Sequence, residues 1–253
     1  MTGLSGRISP MPAYVFPSDF VPRRVLALET STERCSVALL RDDGRLSTRM
    51  VAASSGHSER LLPLVRELLE EAKLGLAELD AIAYGAGPGA FTGLRLACGV
   101  AQGLAFGAGL PVVGVGSLEA LAWASGRPRV YACLDARMNE VYFAAYRIDG
   151  MGVEIALAPG VAHAAAAGLP EGAGWYGCGS GFATYALELR QRLAGQLAEV
   201  NGDDIPAAAA VASLAAARLA SGGGADAFQA QPAYVRQKVA LTTAERLARG
   251  GKA

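Results

Sequence analysis

Apolar and polar positions along this chain change period several times, and each change marks a predicted element. Residues 25–44, VLALETSTERCSVALLRDDG, read as an apolar strand, an acid, a polar turn, a second apolar strand and a charged turn ending in glycine. Residues 47–53 continue as a third strand. The period then lengthens. Over 59–73, Leu61, Leu62, Val65, Leu68 and Leu69 fall on one stripe of a helix, with Arg66, Glu67, Glu70 and Glu71 mostly away from it. Ser58 is the expected N-cap, with Pro63 close behind it. A short buried strand at 80–84, a helix at 91–106 and a strand at 110–115 ending in glycine complete the series.

The hairpin pattern returns 106 residues later. YACLDARMNEVYFAAYRIDG (131–150) aligns without gaps on 25–44, placing Glu29 on Asp135, Ala38 on Ala144, Arg41 on Arg147, Asp43 on Asp149 and Gly44 on Gly150. A repeated order of strand, acid, turn and strand predicts two related units. Three strands, helix, strand, helix and strand resembles one lobe of the actin-like ATPase fold. The expected architecture is therefore a two-lobed α/β protein, with mixed sheets flanked by helices. Its second lobe reads as reduced: residues 174–181, GWYGCGSG, look like turns, and an alanine-rich helix follows at 207–221. The expected organisation is a flexible N-terminal extension at 1–22, a first lobe at 23–124, a second at 125–238 and a tail at 239–253.

Composition narrows the function classes. The 253-residue chain is 52% apolar and 18% charged, with a formal net charge of zero. That is a globular composition, without the broad basic surface that holds an RNA backbone unaided. Any RNA contact is expected to come through a partner. Cys35, Cys98, Cys133 and Cys178 stand far apart and form no CxxC, which points to a reducing cytosol without a disulfide framework. His57 and His163 sit in no paired-ligand motif for zinc. Glycine, proline or charge interrupts each apolar run before it reaches the length of a membrane span. Residues 1–22 carry Pro10, Pro12, Pro17 and Pro22 and lack the apolar core of an export signal.

The stretch GAGPGAFTGLR (85–95) invites three ligand readings, and the residues oppose each. A Walker loop needs Gly-Lys-Ser/Thr, but no lysine occurs between Lys73 and Lys238. A dinucleotide fingerprint needs a ribose-binding acid further on, and 105–116 contains no carboxylate. No GxSxG elbow occurs in the chain. A tight strand-to-helix turn remains, with Thr92 near the helix start. The helix itself carries Gly99, Gly103 and Gly107 at four-residue spacing, with Ala97, Ala101 and Ala105 alongside. An interior glycine costs a helix about 0.5–1 kcal/mol relative to alanine, so close approach of a second backbone is expected to offset the loss. That backbone belongs either to the protein's own sheet or neighbouring helix, or to another subunit.

Five segments run in one order through the chain: ALETSTERCSVAL (27–39), HSERLLPLV (57–65), AYGAGPGAFTGLRLACGVAQGLA (83–105), DARMNEVYFAAY (135–146) and PAYVR (232–236). Together they closely resemble the TsaB (YeaZ) family of bacterial tRNA threonylcarbamoyladenosine biosynthesis proteins, and GPGAFTGLR is the most specific of them. The resemblance implies a cytoplasmic, non-catalytic dimerisation subunit of the complex that transfers threonylcarbamoyl to N6 of adenosine 37 in ANN-decoding tRNAs. It implies a TsaD-type transferase as partner, a TsaE-type ATPase that joins them, tRNA reached through the complex, and a homodimer when alone. ATP and a metal are expected on the partner subunits and none on this chain.

The same resemblance supplies candidate residues. The transferase paralogue holds its metal partly through HxxxH; the corresponding segment here is SLEAL, with Ser117 and Leu121 where imidazoles stand. Glu29, Thr30, Ser31 and Asp135 are vestigial nucleotide candidates, and the second turn, 136–139, lacks the glycine that lets backbone amides close on phosphate. Thr30, Ser31 and Thr32 are expected to satisfy their own turn. By resemblance the first two helices form the heterodimer contact, which makes Leu61, Leu62, Val65, Leu69, Gly99, Gly103 and Gly107 candidates for partner binding. Tyr234 and Arg236 offer either a second contact surface or a clamp between lobes. The rival readings are a glycoprotease-like peptidase, for which no nucleophilic triad is visible, and a small-molecule kinase of the same superfamily.

Overall fold

The first strand is apolar on both faces because both faces are covered. In the computed structural model, which describes residues 23–52, 56–149 and 152–236, Val25–Glu29 (β1) sends Leu26 and Leu28 into one core and Val25 and Ala27 into another. The N-terminal extension and the C-terminal tail lie outside the described residues. β1 pairs antiparallel with Arg34–Leu40 (β2), which pairs antiparallel with Leu46–Ala52 (β3). After the helix His57–Ala72 (α1), Ala81–Gly87 (β4) returns parallel to β1, and after Phe91–Ala108 (α2), Val112–Gly116 (β5) adds parallel to β4. The sheet order is β3-β2-β1-β4-β5.

Ser117–Ala124 (α3) leads into a second sheet built from Arg129–Asp135 (β6), Glu140–Ile148 (β7), Val153–His163 (β8), Trp175–Cys178 (β9) and Leu197–Asn201 (β10). Its order, β10-β9-β6-β7-β8, repeats the first, with β6, β7 and β8 antiparallel and β9 and β10 parallel. Two mixed sheets of one topology make the two-lobed actin-like fold that the hairpin echo predicts. Ser180–Thr184 (α4) and Ala186–Arg192 (α5) lie between β9 and β10, and Ala208–Ala220 (α6) ends the series of helices. Helices α1 and α2 cover the outer face of the first sheet, while α6 covers its inner face and contacts α3, which also packs on β6 and β7.

The structure departs from sequence expectation at several points. Gly56, at φ 98°, precedes the first turn of α1, and Ser58 is exposed rather than capping. Residues 85–87 do not leave the sheet; they prolong β4, with Gly85 paired to Val115 and Gly87 to Gly116. The supposed turns of 174–181 contain β9, whose Gly177 faces the Phe182 ring so closely that a Cβ would come within 2.7 Å of it. Helix α6, inside the span assigned to the second lobe, packs on the first sheet, where its alanine-rich, wholly buried stretch 208–216 fits the inner face. The gapless echo also slips by one. Six residues, 30–35, separate the paired Glu29 and Ser36, whereas five, 136–140, separate Asp135 and Val141. The shorter turn closes by placing Arg137, Met138 and Asn139 all in the left-handed region, at φ 62°, 58° and 62°.

Candidate functional site: the interlobe cleft and the outer helix face

The glycine-rich stretch approaches another part of the protein. A Cβ at Gly93 would lie 1.9 Å from the Thr30 carbonyl oxygen, and one at Gly89 would lie 2.5 Å from that of Ser31. The Ala90 amide donates to the Ser31 carbonyl at 2.7 Å, and Thr30 Oγ1 donates to the Gly93 carbonyl at 2.7 Å. The stretch therefore clasps the turn after β1. Thr30 is wholly buried in that clasp, and Thr32 Oγ1 accepts from the Arg34 amide at 3.3 Å. Thr32 thus bonds within its own turn, whereas Thr30, expected to do the same, bonds the glycine-rich stretch instead.

Glu29 ends β1 but its carboxylate turns inward. The residue is 1% exposed; Oε1 accepts from the Ser31 amide at 2.6 Å and Oε2 from Ser117 Oγ at 3.0 Å. Burial raises its pKa above the ordinary carboxylate value, although these hydrogen bonds favour the charged form. Ser117 is fully buried, and Leu121, one turn on, is fully buried in the core against the second sheet. The positions corresponding to the paralogue's imidazoles thus face the interior, one as a partner of Glu29 and the other as packing. Their side chains do not fit a metal-ligand role. Among the described residues, no group of three or more His, Cys, Asp and Glu side chains is placed to hold a metal ion.

Between the two strand-end turns lies a cleft of about 650 Å³. Ser31, Glu33, Arg34 and His57 line it from the first lobe, and Asp135, Arg137, Ser180 and Thr184 from the second. Asp135 Oδ1 accepts from the Arg137 amide at 2.8 Å and from the Tyr185 hydroxyl at 3.1 Å. The Arg137 guanidinium reaches both Asp135, at 3.4 Å, and Glu33, at 3.2 Å, so it ties the turns of the two lobes together. Of the four nucleotide candidates, Ser31 and Asp135 face the cleft while Glu29 and Thr30 are withdrawn beneath it. That separation gives no shared acid pair at which to hold magnesium.

The segment 230–236 straps the lobes across this cleft. The Tyr84 hydroxyl donates to the Gln231 carbonyl at 3.1 Å and accepts from the Gln231 amide at 3.0 Å, and the Ala233 amide donates to Ala86 O at 2.7 Å. Tyr234 then receives a hydrogen bond from Arg95 Nε at 3.0 Å, and the Arg95 guanidinium lies 3.7 Å from the centre of the Phe91 ring. Arg236 crosses to the second lobe, donating to the Ala136 carbonyl at 3.1 Å and pairing with Glu140. Tyr234 thus fastens the strap to the first lobe and Arg236 fastens it to the second; Tyr234 remains half exposed.

The outer face of α1 and α2 is a separate surface. Leu61 is fully buried against the sheet, which removes it from the candidate docking residues. Leu62 is 49% exposed, and with Val65, Leu69, Leu74, Leu76 and Leu104 it lines an apolar groove of about 360 Å³. A Cβ at Gly99, Gly103 or Gly107 would meet nothing within 4 Å, so neither the protein's own sheet nor a neighbouring helix explains these glycines. Sequence patterning missed Leu74, Leu76 and Leu104, which reach the groove from different elements. It also passed over His57 as a cleft residue, where an unpaired imidazole in HSERLLPLV was the available signal.

Comparison with known proteins agrees with this geometry. The sequence model of the family "TsaD: tRNA N6-adenosine threonylcarbamoyltransferase" matches residues 51–247. The chain is 37% identical over 228 residues to the tRNA threonylcarbamoyladenosine biosynthesis protein TsaB of Escherichia coli K12, covering 86% of this chain and 96% of that one. It is 50% identical over 123 residues to the Haemophilus influenzae protein of the same name, covering 47% of this chain and 52% of that one. The solved structure of YeaZ from Pseudomonas aeruginosa superposes with a TM-score of 0.77 at 40% identity, covering 84% of this chain and 99% of that one. The chain belongs to the TsaB family of tRNA threonylcarbamoyladenosine biosynthesis proteins.

Proposed function

We propose that this chain is a non-catalytic dimerisation subunit for threonylcarbamoyl transfer to N6 of adenosine 37 in ANN-decoding tRNAs. It docks through α1 and α2 onto a metal-bearing TsaD-type transferase and helps recruit a TsaE-type ATPase in the cytoplasm; tRNA is met through the assembled complex. The observation that carries this reading is the outer helix face. An apolar groove beside a ladder of glycines facing open space accepts the backbone of a partner helix at short distance. The same face would take a second copy of this chain when the transferase is absent.

The rival readings have less support. Peptidase chemistry through cysteine lacks an accessible thiolate: all four cysteines are buried, and burial pushes the Cys35 thiol up to about 11. Kinase chemistry lacks the acid at the end of β1, because Glu29 is committed to Ser31 and Ser117.

Reconstitution tests the proposal. Transfer to tRNA is expected to need this chain together with the transferase and ATPase, and the chain alone is expected to give none. Leu62→Glu should abolish calorimetric binding to the transferase while leaving the circular dichroism spectrum intact. Transfer by the isolated chain, or unchanged affinity of the folded variant, would overturn the assignment.

A further inference from the structure

Two phenylalanines on the flank of α2 that faces away from α1 stand in solvent. Phe106 is 63% exposed and Phe228, on the short turn Ala227–Gln229, is 70% exposed; their rings meet edge to face with centroids 5.0 Å apart. Isolated exposed apolar side chains need no explanation, but a contiguous aromatic patch marks an interaction site. The flank continues to the start of α2. There Phe91 and Tyr234 lie 6.0 Å apart, and the Arg95 guanidinium sits 3.7 Å from the Phe91 ring centre. Arg95 donates to the Tyr234 hydroxyl and makes no ion pair among the described residues. Leu104 and Phe106, two positions apart on a helix, point to nearly opposite flanks. Leu104 enters the groove beside α1, and Phe106 meets Phe228. The open arc between them carries Gly99, Gly103 and Gly107. The outer face is therefore a channel, with leucines along one wall and aromatic rings along the other.

The leucine wall is too small to hold a partner by itself. Nine residues line its groove, whereas a stable interface uses about 20–30 residues a side. A partner helix laid over the glycines is about 10–12 Å across with its side chains, wide enough to touch both walls. We propose that the aromatic wall is the second half of the docking site and selects the chemistry of the helix it receives. That helix carries a large aliphatic side chain against Phe106 and Phe228 and a carboxylate against Arg95. Arg95 and Phe106 are eleven positions apart, about 16 Å along α2, so the two anchors stand about three turns apart on the partner. The inference rests on docking through α1 and α2, and adds that phenylalanine and arginine outside the leucine groove carry much of the affinity, as aromatic and arginine anchors commonly do.

Calorimetry of the full chain with a TsaD-type transferase tests it. Phe106→Ala and Phe228→Ala, each checked for folding by thermal melting, should each weaken binding by about thirty-fold, the scale of an interface hot spot. Arg95→Gln should weaken binding and flatten its dependence on salt; the parent's salt dependence in that variant would overturn the carboxylate anchor. With no substitution at all, hydrogen–deuterium exchange at 226–229 should slow when the transferase is added. Leu62→Glu, on the opposite wall, separates this inference from the docking reading beneath it. If that variant loses binding while both phenylalanine variants bind like the parent, docking through α1 and α2 stands and the aromatic wall is overturned. If all three bind like the parent, the docking reading falls and the wall falls with it. Unchanged exchange at 226–229 also overturns the proposal, as do phenylalanine variants that alter only the self-association of the isolated chain in sedimentation.

Discussion

Gly85 lies directly beneath the Glu29 carboxylate: a Cβ on Gly85 would sit 2.1 Å from Oε2. A strand-end acid folded back over the adjacent strand needs that strand to carry no side chain at the crossing point. The glycine is thus explained by the acid, and the acid by Ser31 and Ser117, which bind it.

Gly85→Ala is therefore expected to destabilise the protein by about 1–3 kcal/mol through overpacking. Urea unfolding measures the loss. Combining it with Glu29→Ala should cost less than the sum of the two single changes, because the clash disappears with the carboxylate. Strict additivity would show that the two residues do not compete for the same space.

The buried Glu29 carboxylate also predicts a pH dependence. Desolvation raises its pKa in the folded state above the ordinary carboxylate value. Folding therefore binds a proton, and the stability from this group is complete below the unfolded pKa and lost as pH rises through the folded one. Glu29→Gln removes that loss. Its melting temperature should exceed the parent's at pH 7, with the difference shrinking towards pH 4. A variant less stable than the parent at pH 7 would mean that the hydrogen bonds from Ser31 and Ser117 outweigh desolvation.

Because Gly103 faces open space, Gly103→Leu is expected to fold with unchanged or increased stability, gaining about 0.5–1 kcal/mol of helix propensity. If the proposed docking holds, the same substitution should weaken binding to a TsaD-type transferase by blocking close helix approach. Thermal melting and calorimetry on one preparation separate the two effects. Loss of stability would place a contact at Gly103 within the chain itself.

Arg236 reaches from the strap to Ala136 and Glu140 on the second lobe. Arg236→Ala should free that end of the strap and speed amide exchange at Ala233, whose N–H donates to Ala86 O. Hydrogen–deuterium exchange with mass spectrometry reads this directly. Unaltered exchange over 231–236 would assign the hold to Tyr84 and Arg95 alone.

Much of this fold was legible in the chain because strand alternation and helix stripes are local. Residues two or four apart share a face whatever else surrounds them, so β1, β2, α1 and α2, and the repetition of a hairpin, could be read from order alone. The acids at the ends of β1 and β6 were legible for the same reason, as was the absence of a phosphate-loop lysine. Local pattern does not say which of two apolar faces meets the sheet. That is why Leu61 and Leu62, neighbours in one stripe, part company between core and surface. Nor does it give direction to a side chain at a strand end. Glu29 turns inward because Gly85 leaves room and Ser117, 88 residues on, supplies a hydrogen bond. The one-residue slip in the second hairpin and the return of α6 to the first sheet were likewise decided by tertiary structure. Each depends on close contact between segments distant in sequence, where exclusion of volume and satisfaction of buried polar groups act only after the chain has folded.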